Sequence, residues 1–381
     1  MSGTFYEFFA GAGMARAGLG KTWNCLFAND FDQKKSATYR ANWGEGELQT
    51  ADVRSFSTSD LPGYAELVWA SFPCQDLSLA GGGAGLKGER SGTFWPFWSL
   101  IKQLKEEGRA PKAIVLENVC GTLTSHKGQD FVAICNSLSE ANYNFGAIVV
   151  DAALFLPQSR PRLFFVAIEK SFFSNTELQE KKAVKTWHTN TLIRAQNSLS
   201  PETKNNWVWW NMPTPPTRDS RFSDLIEEKP SSVSWHTREE TKQLLSMMSE
   251  IHIQKVKEAQ KSGKKMVGAI YKRTRKDEEG RKVQRAEVRF DDVAGCLRTP
   301  AGGSSRQLIM VVEGNKIRSR LISSRETARL MGLPDDYKLP ESYNEAYHLT
   351  GDGVAVPVVD YIARNLLDPI FSKSRKNREA A

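Results

Sequence analysis

Four apolar runs in the first 170 residues, "TFYEFFA", "NCLFAND", "LVWASFP" and "KAIVLENV", each end in small or polar residues. Short apolar runs bounded in this way predict buried strands. The stretches between them predict helices at 32–42, around 92–107 ("GTFWPFWSLIKQLKEEG", stopped by glycine) and at 128–140. Strands alternating with helices specify an α/β fold, a parallel, doubly wound sheet covered on both faces. Two further runs, "YNFGAIVVDAALF" and "RPRLFFVAI", joined by "LPQS", predict an antiparallel pair at one edge. In such sheets ligands bind beyond the carboxyl ends of the strands, which is where the polar clusters of this chain fall.

The alternation breaks near residue 171. Residues 171–290 are rich in Trp, Lys and Pro ("NNWVWWNMPTPPTRDSR"), with one helix expected near 237–261. Order returns with "SSRETARLMGL", a helix opened by Ser323 or Ser324 with Glu326 in its first turn. A final helix carries Pro357 in its first turns, and the closing "KSRKNREAA" is expected to fray. These shifts predict a first domain over 1–170, a second over 171–344, and a segment 345–381 returning to the first.

The net charge of +8 is concentrated: residues 252–289 hold thirteen Lys or Arg and five Asp or Glu, and the remainder is neutral. A basic patch of this density suits a polyanion, although a solvated face has the same composition. The five cysteines are scattered without a CxxC pair, which speaks against a metal site and a disulfide framework and for a reducing compartment. No run approaches the roughly 20 apolar residues of a membrane span, and no basic segment precedes an apolar run at the N-terminus. A cytoplasmic protein that binds neither membrane nor metal is expected.

Individual residues sharpen the reading. "EFFAGAGMARAGLG" is a strand, a glycine turn and a helix start, where backbone N–H groups can approach a ligand or where the turn is simply tight. Asp30 and Asp52 end the next two strands; they suit ribose hydroxyls and an adenine amino group, or helix caps. Cys74, in "SFPCQDLS", follows Pro73 and precedes a glycine-rich loop able to move. Such a lone cysteine is either a small buried hydrophobe or a thiol activated by nearby cations, for which Arg160 and Arg162 in "QSRPRLFF" are candidates. Those two arginines also suit an edge-strand salt bridge. Glu117, behind four apolar residues, is expected to be partly desolvated, its pKa raised toward neutrality so that it acts as an acid, or else to cap a helix.

"EFFAGAG", "SFPCQDLS", "LENV", "QSRPRLFFVAI", "RETARLMGLPD" and "GDGVAVPVV" stand in the order and spacing of the C5-cytosine DNA methyltransferase motifs, and the chain resembles that family over residues 5–168 and 296–362. The resemblance implies a Rossmann-like methyltransferase sheet with a smaller target-recognition domain. It implies Cys74 as a nucleophile toward carbon 6 of cytosine, Glu117 as the group at ring nitrogen 3, and Arg160 and Arg162 as supports of the base. It implies S-adenosylmethionine as cofactor, lined by Phe9, Ala10, Gly11, Ala12, Gly13, Asp30, Phe31, Asp52, Val53, Pro73 and Phe94, with Asp352 and Val354 completing the site. The loop 76–92 would close over a flipped cytosine, with Gln75, Ser78, Lys87 and Arg90 toward DNA. In the middle region Lys264, Lys265, Lys272, Arg273, Arg275 and Arg285 are expected on phosphates or base edges of double-stranded DNA. A monomer is expected, with a restriction endonuclease as a genetic partner. The rival readings are an RNA cytosine methyltransferase of the same fold and a catalytically silent DNA-binding protein. Three positions depart from the family pattern: Glu7 replaces Asp, Met14 replaces Gly, and Asp352 replaces Asn.

Overall fold

β1 (Gly3–Phe8), β2 (Trp23–Asp30), β3 (Leu48–Thr50), β4 (Leu67–Ala70), β5 (Ala113–Val119), β6 (Tyr143–Asp151) and β7 (Pro161–Glu169) form one sheet in the order β3-β2-β1-β4-β5-β7-β6. This arrangement comes from a computed structural model that describes residues 3–73, 91–173, 177–276, 279–299 and 306–379. β1 to β5 pair in parallel, while β7 runs antiparallel to both β5 and β6. The expected antiparallel pair is present, but its second strand inserts between β5 and β6 and leaves the first at the edge. All of β4 and all of β5 up to Asn118 are buried, as continuous apolar runs covered on both faces must be.

The helices Gln33–Trp43, Phe94–Glu106 and Gln129–Glu140 coincide with the three expected. The first is started by the Asp32 carboxylate, which accepts from the N–H groups of Lys34 and Lys35. The second turns Phe94, Phe97, Trp98, Ile101 and Leu104 inward at helical spacing, toward a cluster that includes Phe8, Val68, Leu116 and Phe165. Fully burying one such Phe is worth about 1.5–3 kcal/mol.

The chain divides into two units. The first comprises Met1–Asp151, Pro161–Pro216 and Val354–Ala381; the second comprises Ala152–Arg160 and Thr217–Gly353. The borders differ from those expected, because the tryptophan-rich segment 177–216 belongs to the first unit and covers the free edge of β6. Phe145 N–H donates to Asn206 O at 2.9 Å, Val208 N–H to Phe145 O at 2.7 Å, and Val149 N–H to Trp187 O at 2.8 Å. Trp187 and Trp210 are fully buried there, each indole donating to a main-chain carbonyl, and β8 (Gln179–Glu180) and β9 (Trp209–Trp210) pair beside them. An exposed sheet edge is thereby capped. Val356–Ile362 opens with Pro357 as expected, but the helix Asp368–Glu379 runs on through most of the "KSRKNREAA" segment expected to fray.

The second unit is built on a four-stranded antiparallel sheet, β11-β10-β12-β13, from β10 (Met266–Lys276), β11 (Lys282–Arg289), β12 (Leu308–Glu313) and β13 (Lys316–Leu321). Ile270, Ala286, Val288, Met310 and Val312 pack with Leu244, Met248, Val256 and Ala259. The single helix expected near 237–261 is two helices, Arg238–Ser246 and Glu250–Lys261. The break lets the Met247 carbonyl accept from Ala286 N–H at 3.1 Å, tying the helix pair to β11. Ser323 is the N-cap of Ser324–Leu330 in a reciprocal box with Glu326. The same Glu326 pairs with Arg320 at 2.5 Å, both side chains wholly buried.

Candidate active site

The carboxyl ends of β1, β2, β4 and β5 share one edge of the sheet with the start of β7. After β1 the chain turns through Phe9–Gly13. Phe9 has φ 57°, a conformation rare outside glycine. A Cβ on Gly13, at φ 79°, would meet the Trp43 Nε1 at 2.4 Å, so the turn requires glycine there. Trp43 in turn donates to Ala12 O at 3.1 Å. Ala10 and Ala12 are buried. Met14, at the family's usual glycine position, begins the helix Met14–Leu19 with its side chain in the core.

Asp30 closes β2 at 9% exposure. Its Oδ2 accepts from Gly11 N–H at 2.7 Å and its Oδ1 from Asp32 N–H at 2.8 Å. The helix cap is thus Asp32, which leaves the strand-end role to Asp30. Burial raises the Asp30 carboxyl above its ordinary value, against the cation of Lys35 and the two backbone bonds. Phe31 beside it is 76% exposed, an apolar ring facing solvent at a strand end. Asp52 is half-exposed and caps a short turn over Val53–Ser55, accepting from Arg54 N–H at 2.9 Å and pairing with the Arg54 guanidinium at 3.0 Å. Asn29, which no sequence signal singled out, fixes the approach to Asp52 by donating to Ala51 O at 2.8 Å.

An open glycine turn, a buried carboxylate bonded to that turn and an exposed aromatic ring next to it fit an adenosine with a short polar chain. Space supports this: among the described residues nothing lies within 4 Å of where a Cβ on Gly11 would sit. Three further expected cofactor side chains are buried. Phe94 is wholly buried, stacked on Trp98 at 5.9 Å and tilted against Phe72, so it has no surface left for a ligand. It braces the strand end before Pro73 from beneath, while the neighbouring Trp95 is 44% exposed. Val53 also faces the core, and Val354 is buried.

Glu117 and Arg162 meet as the strand register dictates. Arg162 on β7 lies opposite Val119 on β5, which places it diagonal to Glu117 on the same face. Arg162 Nε is 3.2 Å from Glu117 Oε1, and the side chains are 15% and 9% exposed. Burial of Glu117 is legible in the sequence; the guanidinium set against its carboxyl is not. Asn118, 1% exposed and also unassigned from sequence, donates to Phe72 O at 3.2 Å. The strand end leading to Pro73 is thereby fastened to the strand that carries Glu117. A polar residue buried inside an apolar run was the available signal.

Arg160 does not join this pair. It is 1% exposed and donates to Leu297 O at 3.1 Å, Gly351 O at 2.8 Å and Gly353 O at 2.6 Å. A cation at the C-terminal end of the helix Tyr343–Asp352 is favoured by the helix dipole and satisfies carbonyls left without helical partners. Arg160 therefore positions that turn within the second unit, a correction to its expected role at the base. Asp352 is exposed and accepts from the Thr299 hydroxyl.

Cys74, Gln75, Ser78, Lys87 and Arg90 lie outside the described residues. Among the described cysteines, burial pushes the Cys120 thiol up to about 11, the Cys25 thiol up to about 12 and the Cys135 thiol well above its ordinary value. Lys264, Lys265, Arg273, Arg275 and Arg285 are exposed on β10, β11 and the turn before them, with Lys272 half-buried. Lys265 pairs with Glu228, and Arg273 and Arg275 share Glu287. Among the described residues no helix is long and apolar enough to cross a membrane.

A sequence model of the C-5 cytosine-specific DNA methylase family matches residues 3–368. The Type II methyltransferase M1.ScrFI of Lactococcus lactis subsp. cremoris is 28% identical over 97% of this chain and 79% of its own length. M.HhaI of Haemophilus parahaemolyticus is 24% identical over 95% of this chain and 93% of its own. In fold, the Entamoeba histolytica methyltransferase EhMeth (TM-score 0.63, 15% identity) covers 97% of this chain and 99% of its own. The S. pombe Dnmt2 methyltransferase (TM-score 0.58, 16% identity) covers 96% and 99%. The strand-end cluster thus stands in a chain matched over nearly its whole length, and the protein belongs to the C-5 cytosine-specific DNA methylase family, S-adenosylmethionine-dependent DNA cytosine-5 methyltransferases.

Proposed function

We propose that the protein methylates one cytosine within a specific double-stranded DNA sequence, as the modification partner of a restriction system, with Cys74 as nucleophile. The observation that carries the catalytic assignment is the Glu117–Arg162 pair at the sheet's carboxyl edge, on the strand fastened by Asn118 to the segment that leads into Cys74.

The chemical problem is that carbon 5 of cytosine is a weak nucleophile. The Cys74 thiolate adds to carbon 6, forming the C–S bond while the electron pair of the 5,6 double bond moves to carbon 5. Glu117 supplies hydrogen bonding and a proton at nitrogen 3, so that charge does not accumulate on the ring. Arg162 orients Glu117 and the base. S-adenosylmethionine would supply an electrophilic methyl group to carbon 5, its S–CH3 bond breaking to leave S-adenosylhomocysteine. A base then removes the carbon-5 proton, the 5,6 double bond re-forms as the nitrogen-3 proton returns to Glu117, and the Cys74 thiolate leaves. Asp30 and Phe31 hold the adenosine by hydrogen bonding and stacking, with Asp52 toward the adenine edge and the Phe9–Gly13 backbone toward the polar chain. Burial keeps Cys25, Cys120 and Cys135 as thiols at neutral pH.

For DNA, the exposed cations of the second unit supply phosphate contacts, and Arg273, Arg275 and Arg285 are the candidates for guanine edges. Gln75, Ser78, Lys87 and Arg90 are assigned to the same substrate from sequence. Bisulfite sequencing of genomic DNA from cells expressing the protein tests the reading. Methylcytosine confined to one short sequence context is expected; methylcytosine absent from duplex DNA and present in RNA would overturn it.

A further inference from the structure

β10 and β11 carry seven Lys or Arg and a single acid, Glu287. β10 pairs with β12 only as far as Ile270, whereas its pairing with β11 runs on to Lys276. From Tyr271 onward the two strands project beyond β12 as a ribbon. Tyr271 and Glu287, Arg273 and Arg285, and Arg275 and Val283 are opposite one another on one face. Lys272, Thr274, Lys276, Gln284 and Lys282 share the other, with Lys276 directly opposite Lys282. Like charges directly opposite each other destabilise a ribbon, so both faces are built at a cost that an anion would relieve.

On the arginine face Glu287 serves as that anion. Its Oε1 is 2.8 Å from Arg275 Nε, and its Oε2 is 3.3 Å from Arg273 Nε. The guanidinium groups nevertheless stay open: the Arg273 and Arg275 side chains are 53% and 50% exposed, against 22% for Glu287. Glu287 thus takes the Nε edge of both guanidinium groups while much of each side chain stays exposed, and a two-oxygen acceptor such as phosphate or a guanine edge would compete for the same forks. A two-stranded ribbon of this kind fits the major groove, which is about 12 Å wide.

We propose that Glu287 is an internal competitor for DNA: it occupies Arg273 and Arg275 in the free protein and releases them to the duplex, which sets how weakly DNA outside the target is held. This rests on the reading of duplex DNA as substrate. A phosphate must displace Glu287 and so adds little net charge pairing, whereas the target sequence adds base contacts that offset the displacement.

The test is binding of the full-length protein to a poly(dA)·poly(dT) duplex, which has no cytosine and so is non-target DNA by construction, measured against KCl concentration. Glu287→Gln should tighten binding roughly three- to tenfold and steepen the slope of log K against log salt by about one to two units, one for each additional phosphate neutralised. Glu287→Asp, which withdraws the carboxylate by one methylene, should act in the same direction to a smaller extent. Adding Arg273→Ala and Arg275→Ala to Glu287→Gln should erase the tightening. Unchanged affinity and slope in both Glu287 variants, weaker binding, or a tightening that persists without the two arginines would overturn the proposal. Methylation of cellular DNA by the wild type is scored separately: its absence refutes the substrate reading, whereas wild-type methylation with unaltered binding by the Glu287 variants refutes only the role of Glu287.

Discussion

At the carboxyl edge of the first unit's sheet, Glu117 and Asp30 are buried, Glu117 beside the guanidinium that strand register brings to it and Asp30 on the main-chain N–H groups of Gly11 and Asp32. On the ribbon of the second unit the charges stand in solvent, with Arg273 and Arg275 about half-exposed and tied to one shared carboxylate. Buried groups interact in a low effective dielectric and have nowhere to relax, so removing one is felt in full. Exposed groups are screened, and each contributes a small, salt-dependent increment. In the proposed function the chemistry accordingly falls to the sheet edge, and adjustable affinity for a polyanion to the ribbon.

The contrast can be tested from the largest effect downward. Cys74→Ser should abolish turnover, because a hydroxyl is far less acidic and less nucleophilic than a thiol. With DNA in which fluorine replaces the hydrogen on carbon 5 of cytosine, the wild type and S-adenosylmethionine should give a complex that survives denaturing electrophoresis, and Cys74→Ser should give none. A trapped complex in that variant would exclude the covalent role. Replacing Cys25, Cys120, Cys135 or Cys296 singly should leave the trap intact.

Glu117→Gln should slow methyl transfer on the order of 10²- to 10⁴-fold, the range for a lost general acid, with the fold retained. Single-turnover kinetics measures this. A rate within a few-fold of wild type would move the chemistry away from the Glu117–Arg162 pair.

Glu7 gives a pH signature confined to the sheet. It is 1% exposed on β1, its Oε2 has no hydrogen-bond partner among the described residues, and burial pushes its carboxyl up to about 8 from 4.5, against Arg16 and with Asp30 adding to the rise. Because the folded value lies above the unfolded one, folding favours the protonated form. The stability tied to Glu7 is complete below about pH 4.5 and falls as pH rises to about 8, beyond which it is constant. Glu7→Gln should remove this component, so thermal melting from pH 5 to 9 should show the variant gaining on the wild type as pH increases. Parallel melting curves would mean that Glu7 meets a counter-charge on ionisation.

Asp30→Ala should weaken S-adenosylmethionine binding by about 1–3 kcal/mol, since Gly11 N–H loses its acceptor as well. Asp52→Ala should cost less, because Asp52 is more exposed and partly engaged by Arg54. Calorimetry that reversed this order would reassign the adenosine contacts. The smallest steps belong to the basic strands. Neutralising Lys264, Lys265, Lys272 and Arg273 together should flatten the salt dependence of DNA binding by up to about one unit for each phosphate left without its cation. Lys265 and Arg273 should contribute least, being already paired with Glu228 and Glu287.

The sequence by itself determined the alternation of strands and helices and the strand ends where polar residues collect, and it supplied Cys74, Glu117 and Arg162 as the residues proposed for the chemistry. These are readable because burial period, caps and motif spacing are local properties of the chain. Only the tertiary structure decided the rest. β7 enters between β5 and β6, which sets Arg162 diagonal to Glu117 through pairing of residues far apart in sequence. The tryptophan-rich segment, read from composition as part of a recognition domain, caps the β6 edge because free strand N–H and C=O groups there needed partners. Arg160, two residues from Arg162 in sequence, is buried on the carbonyls of a helix end. Phe94, with a motif position that suggested a ligand contact, lies in the core because aromatic rings at helical spacing pack on the sheet before any ligand is present. Which side chain meets which is set by register and burial, and neither is written in any single stretch of the chain.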